Sequence, residues 1–155
     1  SKQSNERLEF LGDSVLGLIV SEHLFKTFPE EHEGQLTKTK SLLVSKAILS
    51  RRALAMGLGR FMLMSNSEVD SGGRQRLSIL ADAFEAVVGA IYLDQGFEAA
   101  RGFIDRWLLK NAQEIFLTAS YVLSTAPAIV SPSPVTPRTL PPLVTICLFW
   151  NAVPA

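Results

Sequence analysis

The sequence is short of cysteine and of net charge, and both shortages limit what the protein can be. Cys147 is the single cysteine, which excludes a disulfide framework and argues against a cysteine-based zinc site. Fifteen basic and fifteen acidic residues give a net charge of zero, so the overall positive charge that is typical of nucleic-acid-binding proteins is missing. Such a partner is not excluded, because bound cations can add positive charge locally.

Long apolar runs and leader-like segments are missing as well. The apolar segment 143–150 is too short to cross a bilayer, which takes ~20 residues. The first residues do not resemble a secretory leader, so none is expected. We therefore expect a cytoplasmic protein with no membrane partner.

Proline is scarce until late in the chain. Seven of the eight prolines lie in residues 117–155, where Arg138 is the one charged residue. That segment shows neither helical nor alternating periodicity, so we predict an irregular Pro-rich tail, disordered or non-native. Residues 1–116 suit a single domain, and the apolar content of 47% is ample for a core.

Residues 1–116 carry the periodicity of successive helices, so the predicted fold class is all-α. Pro29 ends the first helix, Gly57 and Gly59 end the second, and Gly96 ends the third. The four predicted helices cover residues 5–28, 35–56, 78–93 and 97–116.

The first predicted helix carries an acidic stripe. Glu6, Glu9 and Asp13 are spaced i, i+3 and i+7, which places them on one face. Ser4 or Asn5 would cap the helix. An apolar stripe runs beside the acidic one and consists of Leu8, Leu11, Val15, Leu18 and Ile19. A row of carboxylates can bind a hard cation such as Mg²⁺; alternatively, it is a solvated acidic face.

A second acidic pair, Asp82 and Glu85, lies in a helix that is apolar on nearly every side and is therefore expected to be buried. Buried carboxylates are either paired or bound to a metal. We expect this pair to face Glu9 and Asp13 across a helix–helix contact, with a cation between them. The alternative is a set of salt bridges to Arg74, Arg76 or Arg101.

Three segments together resemble the catalytic domain of the ribonuclease III family, bacterial type. They are Glu6–Ser14 (ERLEFLGDS), Glu33-Gly34 and Leu80–Ala86 (LADAFEA), and the resemblance runs from about residue 2 to about residue 116. It implies the helical endonuclease fold of that family. In the family further helices precede this point, so the domain is expected to be N-terminally incomplete.

The resemblance also implies an activity. Members of the family are Mg²⁺-dependent endoribonucleases that cleave double-stranded RNA and leave 5′-phosphate and 3′-hydroxyl ends. Asp13 and Glu85 are the expected catalytic residues, and Glu9, Asp13, Asp82 and Glu85 the expected metal ligands. Mn²⁺ is expected to substitute for Mg²⁺, and no organic cofactor is expected.

Further positions take secondary roles from the same resemblance. Glu6 and Glu33 are expected near the RNA, although Glu33 is equally explained as an acid that stabilises the start of a helix. Phe10 is expected to insert into a second copy of the chain in a homodimer, which would place two acidic sites on the two strands of one duplex. The alternative is that Phe10 belongs to the core.

Two arginines in a glycine-rich loop, Arg74 and Arg76, are candidate RNA contacts, whereas the glycines there are expected to serve structural spacing. The second helix has a basic face that either aids solubility or contacts phosphates; it comprises Lys38, Lys40, Lys46, Arg51 and Arg52. Two alternatives to the nuclease function stay open: a catalytically silent RNA-binding relative, and an inactive fragment.

Overall fold

A computed structural model of the chain describes residues 4–111 and 148–149. Within these residues the fold is predominantly helical, as predicted. The α-helices are α1 (Glu6–Thr27), α2 (Glu33–Leu43), α3 (Lys46–Ala55), α4 (Asn66–Asp70), α5 (Leu77–Gln95) and α6 (Phe97–Trp107). Short 3-10 turns cover Leu58–Phe61, Gly73–Gln75 and Leu109–Asn111.

Helix α5 is the centre of the domain, with α1, α3 and α6 packed around it. Ten of its 19 residues are buried, and Leu80 and Phe84 are among the largest fully buried residues of the core. The all-round apolar sequence of this helix therefore predicted its position correctly. Its observed bounds extend the predicted ones by one residue at the start and two at the end.

Helix α1 buries the face predicted for it, with two differences. Val15 and Ile19 lie in the core, but Leu18 is 59% exposed, because the buried stripe turns toward Leu16 and Val20 instead. The predicted capping hydrogen bond is also wrong. Asn5 occupies the N-cap position without a side-chain cap, and the Ser4 hydroxyl donates to the Glu6 carboxylate at 3.1 Å rather than accepting from the backbone.

The predicted second helix, 35–56, is in fact two helices. Helix α2 ends at Leu43, and Ser45 adopts an extended conformation whose hydroxyl accepts a hydrogen bond from the backbone N–H of Ile48. A serine that caps a helix competes with helix continuation, so the chain turns at this point and starts α3 at Lys46. The apolar spacing runs on across the break, which is why periodicity alone missed it.

Two glycines end helices in the way the sequence predicts. Gly57 and Gly96 have φ values of +68° and +84°, a region that side-chain-bearing residues rarely adopt. The last predicted helix is shorter than expected, since α6 ends at Trp107 and a 3-10 turn follows. Its predicted continuation over residues 112–116 lies outside the described residues.

One two-residue parallel pair is the only sheet in the part of the chain that the structure describes: Met62–Leu63 (β1) pairs with Leu148–Phe149 (β2). The rest of the predicted tail, 117–155, is outside the described residues, and its character stays a prediction. None of the described helices combines the length and the apolar character that crossing a bilayer requires.

Candidate metal centre

Two glycines allow α1 and α5 to pack backbone against backbone. An ideal Cβ added to Gly12 would lie 1.8 Å from the carbonyl oxygen of Glu85, and one added to Gly89 would lie 2.3 Å from the carbonyl oxygen of Leu8. Any side chain at either position would push the helices apart. The close crossing brings the acidic stripe of α1 next to the acidic pair of α5.

Three carboxylates meet at this crossing. One oxygen from each of Glu9, Asp82 and Glu85 lies within 4.8 Å of the others, and all three side chains are partly buried. Oxygen atoms of carboxylates are the ligands that hard divalent cations prefer. Within the described residues, no hydrogen bond or ion pair holds the carboxylates of Glu9 and Glu85. Unpaired carboxylates in partial burial are the donor set that a cation would satisfy.

The electrostatics of the cluster follow from this crowding. Burial, together with the negative charges of Asp13, Glu9 and Asp82, raises the pKa of Glu85 to about 7. Burial also raises the pKa of Glu9, and the charge of Asp82 adds to the effect. Both glutamates therefore keep their protons to a higher pH than an isolated glutamate does. A divalent cation bound between them would favour the deprotonated carboxylates instead.

One cation of the chain does reach the cluster. Nζ of Lys46 lies 3.1 Å from Oδ1 of Asp82, and the Lys46 side chain is 70% exposed. This ion pair and the charge of Asp82 raise the pKa of Lys46, while the positive charge of Lys46 offsets part of the rise in the pKa values of Glu85 and Glu9. The sequence placed Lys46 only on a general basic face, so its contact with the cluster was missed.

The remaining predicted ligand, Asp13, lies one turn after Glu9 on α1. Its side chain is exposed, and its carboxylate is not part of the group of three. Its charge nevertheless acts on Glu9 and Glu85. The structure thus brings three of the four predicted ligands together, with Asp13 at the solvent side. Its roles as ligand and catalytic residue stay predictions.

The alternative for the acidic pair, a set of salt bridges to Arg74, Arg76 or Arg101, is wrong. Arg101 pairs with Glu22 and with Glu98, and Arg76 pairs with Glu68 at 2.8 Å. Arg74 donates to the carbonyl oxygens of Gly59 and Met62 at 2.6 and 2.8 Å.

Arg74 and Arg76, predicted as possible RNA contacts, therefore already have partners within the fold. The two hydrogen bonds from Arg74 join the glycine-rich turn to the 3-10 turn at Leu58–Phe61 and to the first residue of β1. Those bonds give Arg74 a structural function that does not depend on RNA.

The other predicted positions do not belong to the group of three carboxylates. Glu6 is exposed, and its charge adds to the rise in the pKa of Glu9. Glu33 is the first residue of α2, where the Thr37 hydroxyl donates to it at 2.9 Å, in keeping with an acid at a helix start. Phe10 is 79% exposed, so the alternative of a core phenylalanine is wrong.

Phe10 borders an open depression of the surface. The other lining residues come from the start of α1 and the end of α5: Glu6, Arg7, Leu8, Leu11 and Leu93. Leu93 is also largely exposed, so this part of the surface is apolar.

The fold and the cluster define a class: a helical domain with a carboxylate site, suited to a divalent cation, at the crossing of its two longest helices. The family model described as Ribonuclease-III-like matches residues 1–112. The chain therefore belongs to the ribonuclease III family.

Curated relatives named Ribonuclease 3 are similar over the same region. The protein of Desulforamulus reducens is 57% identical over 100 residues, which are 64% of this chain and 41% of the relative. That of Magnetococcus marinus is 56% identical over 102 residues, 66% and 42% of the two chains. That of Treponema pallidum is 49% identical over 111 residues, 72% and 44%. The chain spans less than half the length of these relatives.

Two solved structures of the nuclease domain of ribonuclease III from Campylobacter jejuni have a similar fold. Their TM-scores are 0.67 and 0.66 at 48% identity, and the matches cover 69% of this chain and 75% and 73% of theirs. One of them is described as flexible in a region involved in dimer formation. The predicted fold class is confirmed by this similarity.

Proposed function

We propose that this chain is the catalytic domain of a Mg²⁺-dependent endoribonuclease that cleaves double-stranded RNA in the cytoplasm. The proposal depends on one observation above all: Glu9, Asp82 and Glu85 come from two helices and place carboxylate oxygens within 4.8 Å of one another. Membership of the ribonuclease III family supports RNA as the substrate. The products would carry 5′-phosphate and 3′-hydroxyl ends.

The residues present fit a divalent cation. Glu9, Asp82 and Glu85 would hold it, and Asp13 would act from the solvent side, directly or through water. A cation in such a site supplies charge neutralisation at a phosphate and a water molecule of lowered pKa. Mn²⁺ has the same preference for oxygen ligands as Mg²⁺, so we expect it to substitute.

The chain's own residues have separable tasks in this proposal. Asp82 pairs with Lys46, and the close crossing at Gly12 holds the backbone of Glu85 against α1, so the two helices bring these carboxylates together before a ligand arrives. Glu6, one turn before Glu9, extends the acidic surface toward the depression beside Phe10. In this arrangement Glu6 would meet RNA or a second subunit, and Glu33 would approach RNA from the start of α2.

A homodimer forms part of the proposal. An exposed apolar side chain at the border of an apolar depression is typical of a surface that is covered in an assembly. Phe10 and Leu93 fulfil that condition. A two-fold axis through this surface would repeat each carboxylate cluster, so that one duplex would meet one cluster for each strand.

The test is cleavage of a uniform RNA duplex by the purified chain in Mg²⁺, in Mn²⁺ and in EDTA. We expect cleavage with either metal and none in EDTA, with product ends that a 5′-phosphate-dependent exonuclease degrades. Glu85→Gln should remove cleavage, whereas Glu98→Gln, at an exposed position on α6, should not. Metal-independent cleavage, or wild-type rates in Glu85→Gln, would contradict the metal-site assignment.

The two alternatives predict different results in the same assay. A catalytically silent relative would shift the duplex in a gel without cutting it in any metal. An inactive fragment would lack the helical circular dichroism that this fold requires. Either result would replace the nuclease proposal.

A further inference from the structure

Lys46 carries a positive charge at the N-terminus of α3, where the helix dipole makes a positive charge unfavourable. It is the first residue of α3, and the first turn of α3 contains no acidic residue. The N-terminus of a helix carries partial positive charge, so a cation there is unfavourable and an acid would be favourable. Lys46 instead points its ammonium group at the carboxylate of Asp82.

The backbone position of Lys46 is fixed, whereas its side chain is free to move. Ser45 caps α3, and Leu49 and Ala53 bury the helix against α5. The ammonium group is carried on a flexible four-carbon stem, and the side chain is 70% exposed. It can therefore leave Asp82 for solvent without any change in the backbone.

We propose that Lys46 is a resident counter-ion of the carboxylate cluster, which stabilises the metal-free domain and competes with a divalent cation for the charge of Asp82. This inference rests on the proposed metal site and adds to it a residue that sets the cation concentration at which the site fills. A group that stabilises the metal-free state more than the metal-bound state weakens metal binding, and the loss in binding free energy equals that difference in stabilisation.

The competition follows from the geometry. The ammonium group and a divalent cation both depend on the negative charge of Asp82, and they repel each other when both are close to it. Without the lysine, no positive side chain of the described residues would pair with the three carboxylates within 4.8 Å of one another until a cation binds. Removing Lys46 should therefore lower the stability of the metal-free protein and raise its affinity for a divalent cation.

The test compares Lys46→Met with Lys38→Met, which changes an exposed lysine of α2 that forms no ion pair with any described residue. Mn²⁺ binding to the full chain is measured by calorimetry, and thermal unfolding is recorded in EDTA and in saturating Mn²⁺. Lys46→Met should melt below wild type in EDTA and should bind Mn²⁺ about two- to fivefold more tightly, as expected for an exposed ion pair. Lys38→Met should change neither quantity.

Lys46→Glu separates the counter-ion from a simple effect on the helix end. If only the helix dipole mattered, glutamate at the first position of α3 would raise the melting temperature in EDTA. A counter-ion role predicts the opposite: a lower melting temperature in EDTA than that of Lys46→Met, and tighter Mn²⁺ binding. In an Asp82→Asn background, Lys46→Met should no longer lower the melting temperature in EDTA.

Two outcomes would overturn the inference while the metal site stands: unchanged Mn²⁺ affinity in Lys46→Met, or a Lys46→Glu protein that is more stable than wild type in EDTA. If wild type itself binds neither Mn²⁺ nor Mg²⁺, the metal site of the proposed function fails, and the role of Lys46 fails with it. The calorimetry of wild type alone distinguishes the two cases.

Discussion

Gly12 and Gly89 face each other across the crossing of α1 and α5, where the backbone of each helix occupies the space that a side chain on the other glycine would need. An ideal Cβ on Gly12 would be 3.0 Å from the backbone nitrogen of Gly89, and one on Gly89 would be 3.1 Å from that of Gly12. The atoms in the way belong to the backbone and cannot swing aside. The distance between the carboxylates of the two helices is therefore set by a pair of residues with no chemistry of their own.

Gly12→Ala is expected to destabilise the domain by about 1–3 kcal/mol or more, because the new methyl group overlaps the Glu85 carbonyl. It should also weaken Mn²⁺ binding, because separating the helices separates the carboxylates. Thermal unfolding and calorimetry measure the two effects. The control is Gly102→Ala on α6, where an added Cβ meets nothing within 4 Å and should stabilise the helix by about 0.5–1 kcal/mol. Equal melting temperatures for the two variants would contradict the packing argument.

The sequence was sufficient to predict the bounds of α1 and α5 to within two residues, because an apolar helix and a proline or glycine stop are local features. It was also sufficient to pair their acidic residues, since buried carboxylates need a partner. The break at Ser45 was not predictable from periodicity, because a single capping residue decided it against a continuous apolar pattern.

The contact between Lys46 and Asp82 could not be predicted either, since it depends on the angle at which α3 meets α5. One sequence feature does point to it in hindsight: a lysine directly after a capping serine, where an acid would be favoured. Likewise, Gly12 beside Asp13, and Gly89 four residues after Glu85, indicate a close helix crossing at the acidic residues. The difference in exposure between Asp13 and Glu9 was not predictable either, because it depends on how α1 and α5 pack.

Arg74 is expected to stabilise the folded domain. Arg74→Met removes two charge-assisted hydrogen bonds to the carbonyl oxygens of Gly59 and Met62, which should lower the free energy of unfolding by about 1.5–3 kcal/mol. Arg106→Met, at an exposed position of α6, should stay within about 0.5 kcal/mol of wild type. Urea unfolding provides the comparison. A variant at Arg74 with normal stability but weakened duplex binding would instead favour a direct RNA contact.

Phe10→Ser tests the proposed homodimer. Because Phe10 is 79% exposed in the single chain, its loss should change the stability of the monomer little. Burial of a phenylalanine in an interface contributes about 1.5–3 kcal/mol, so the dimer should dissociate roughly 10- to 100-fold more readily. Sedimentation over a concentration series measures this constant. Phe61 is 52% exposed and does not line the depression, so Phe61→Ser should leave the dissociation constant of the dimer unchanged. An equal effect of the two substitutions would mean that the depression is not the contact surface.

Glu85 is expected to make the metal-free domain less stable as the pH rises. Its pKa is about 7 in the folded protein and 4.5 without the fold, so the folded state binds the proton more tightly than the unfolded state. The stabilising contribution of the protonated carboxyl is complete below pH 4.5 and is lost as the pH rises through 7. The melting temperature in EDTA should therefore fall across this interval relative to that of Glu85→Gln, which has no proton to lose.

Saturating Mn²⁺ should reverse this pH dependence, because a cation binds the deprotonated carboxylates and stabilises the folded state by mass action. Its affinity should rise with pH over the same interval, since it competes with the proton on Glu85. Melting curves from pH 4.5 to 7.5, with EDTA and with Mn²⁺, measure both slopes. Glu98→Gln serves as the control and should follow wild type in each series. A wild-type curve in EDTA that runs parallel to that of Glu85→Gln would show that Glu85 is not held in the cluster as the structure describes.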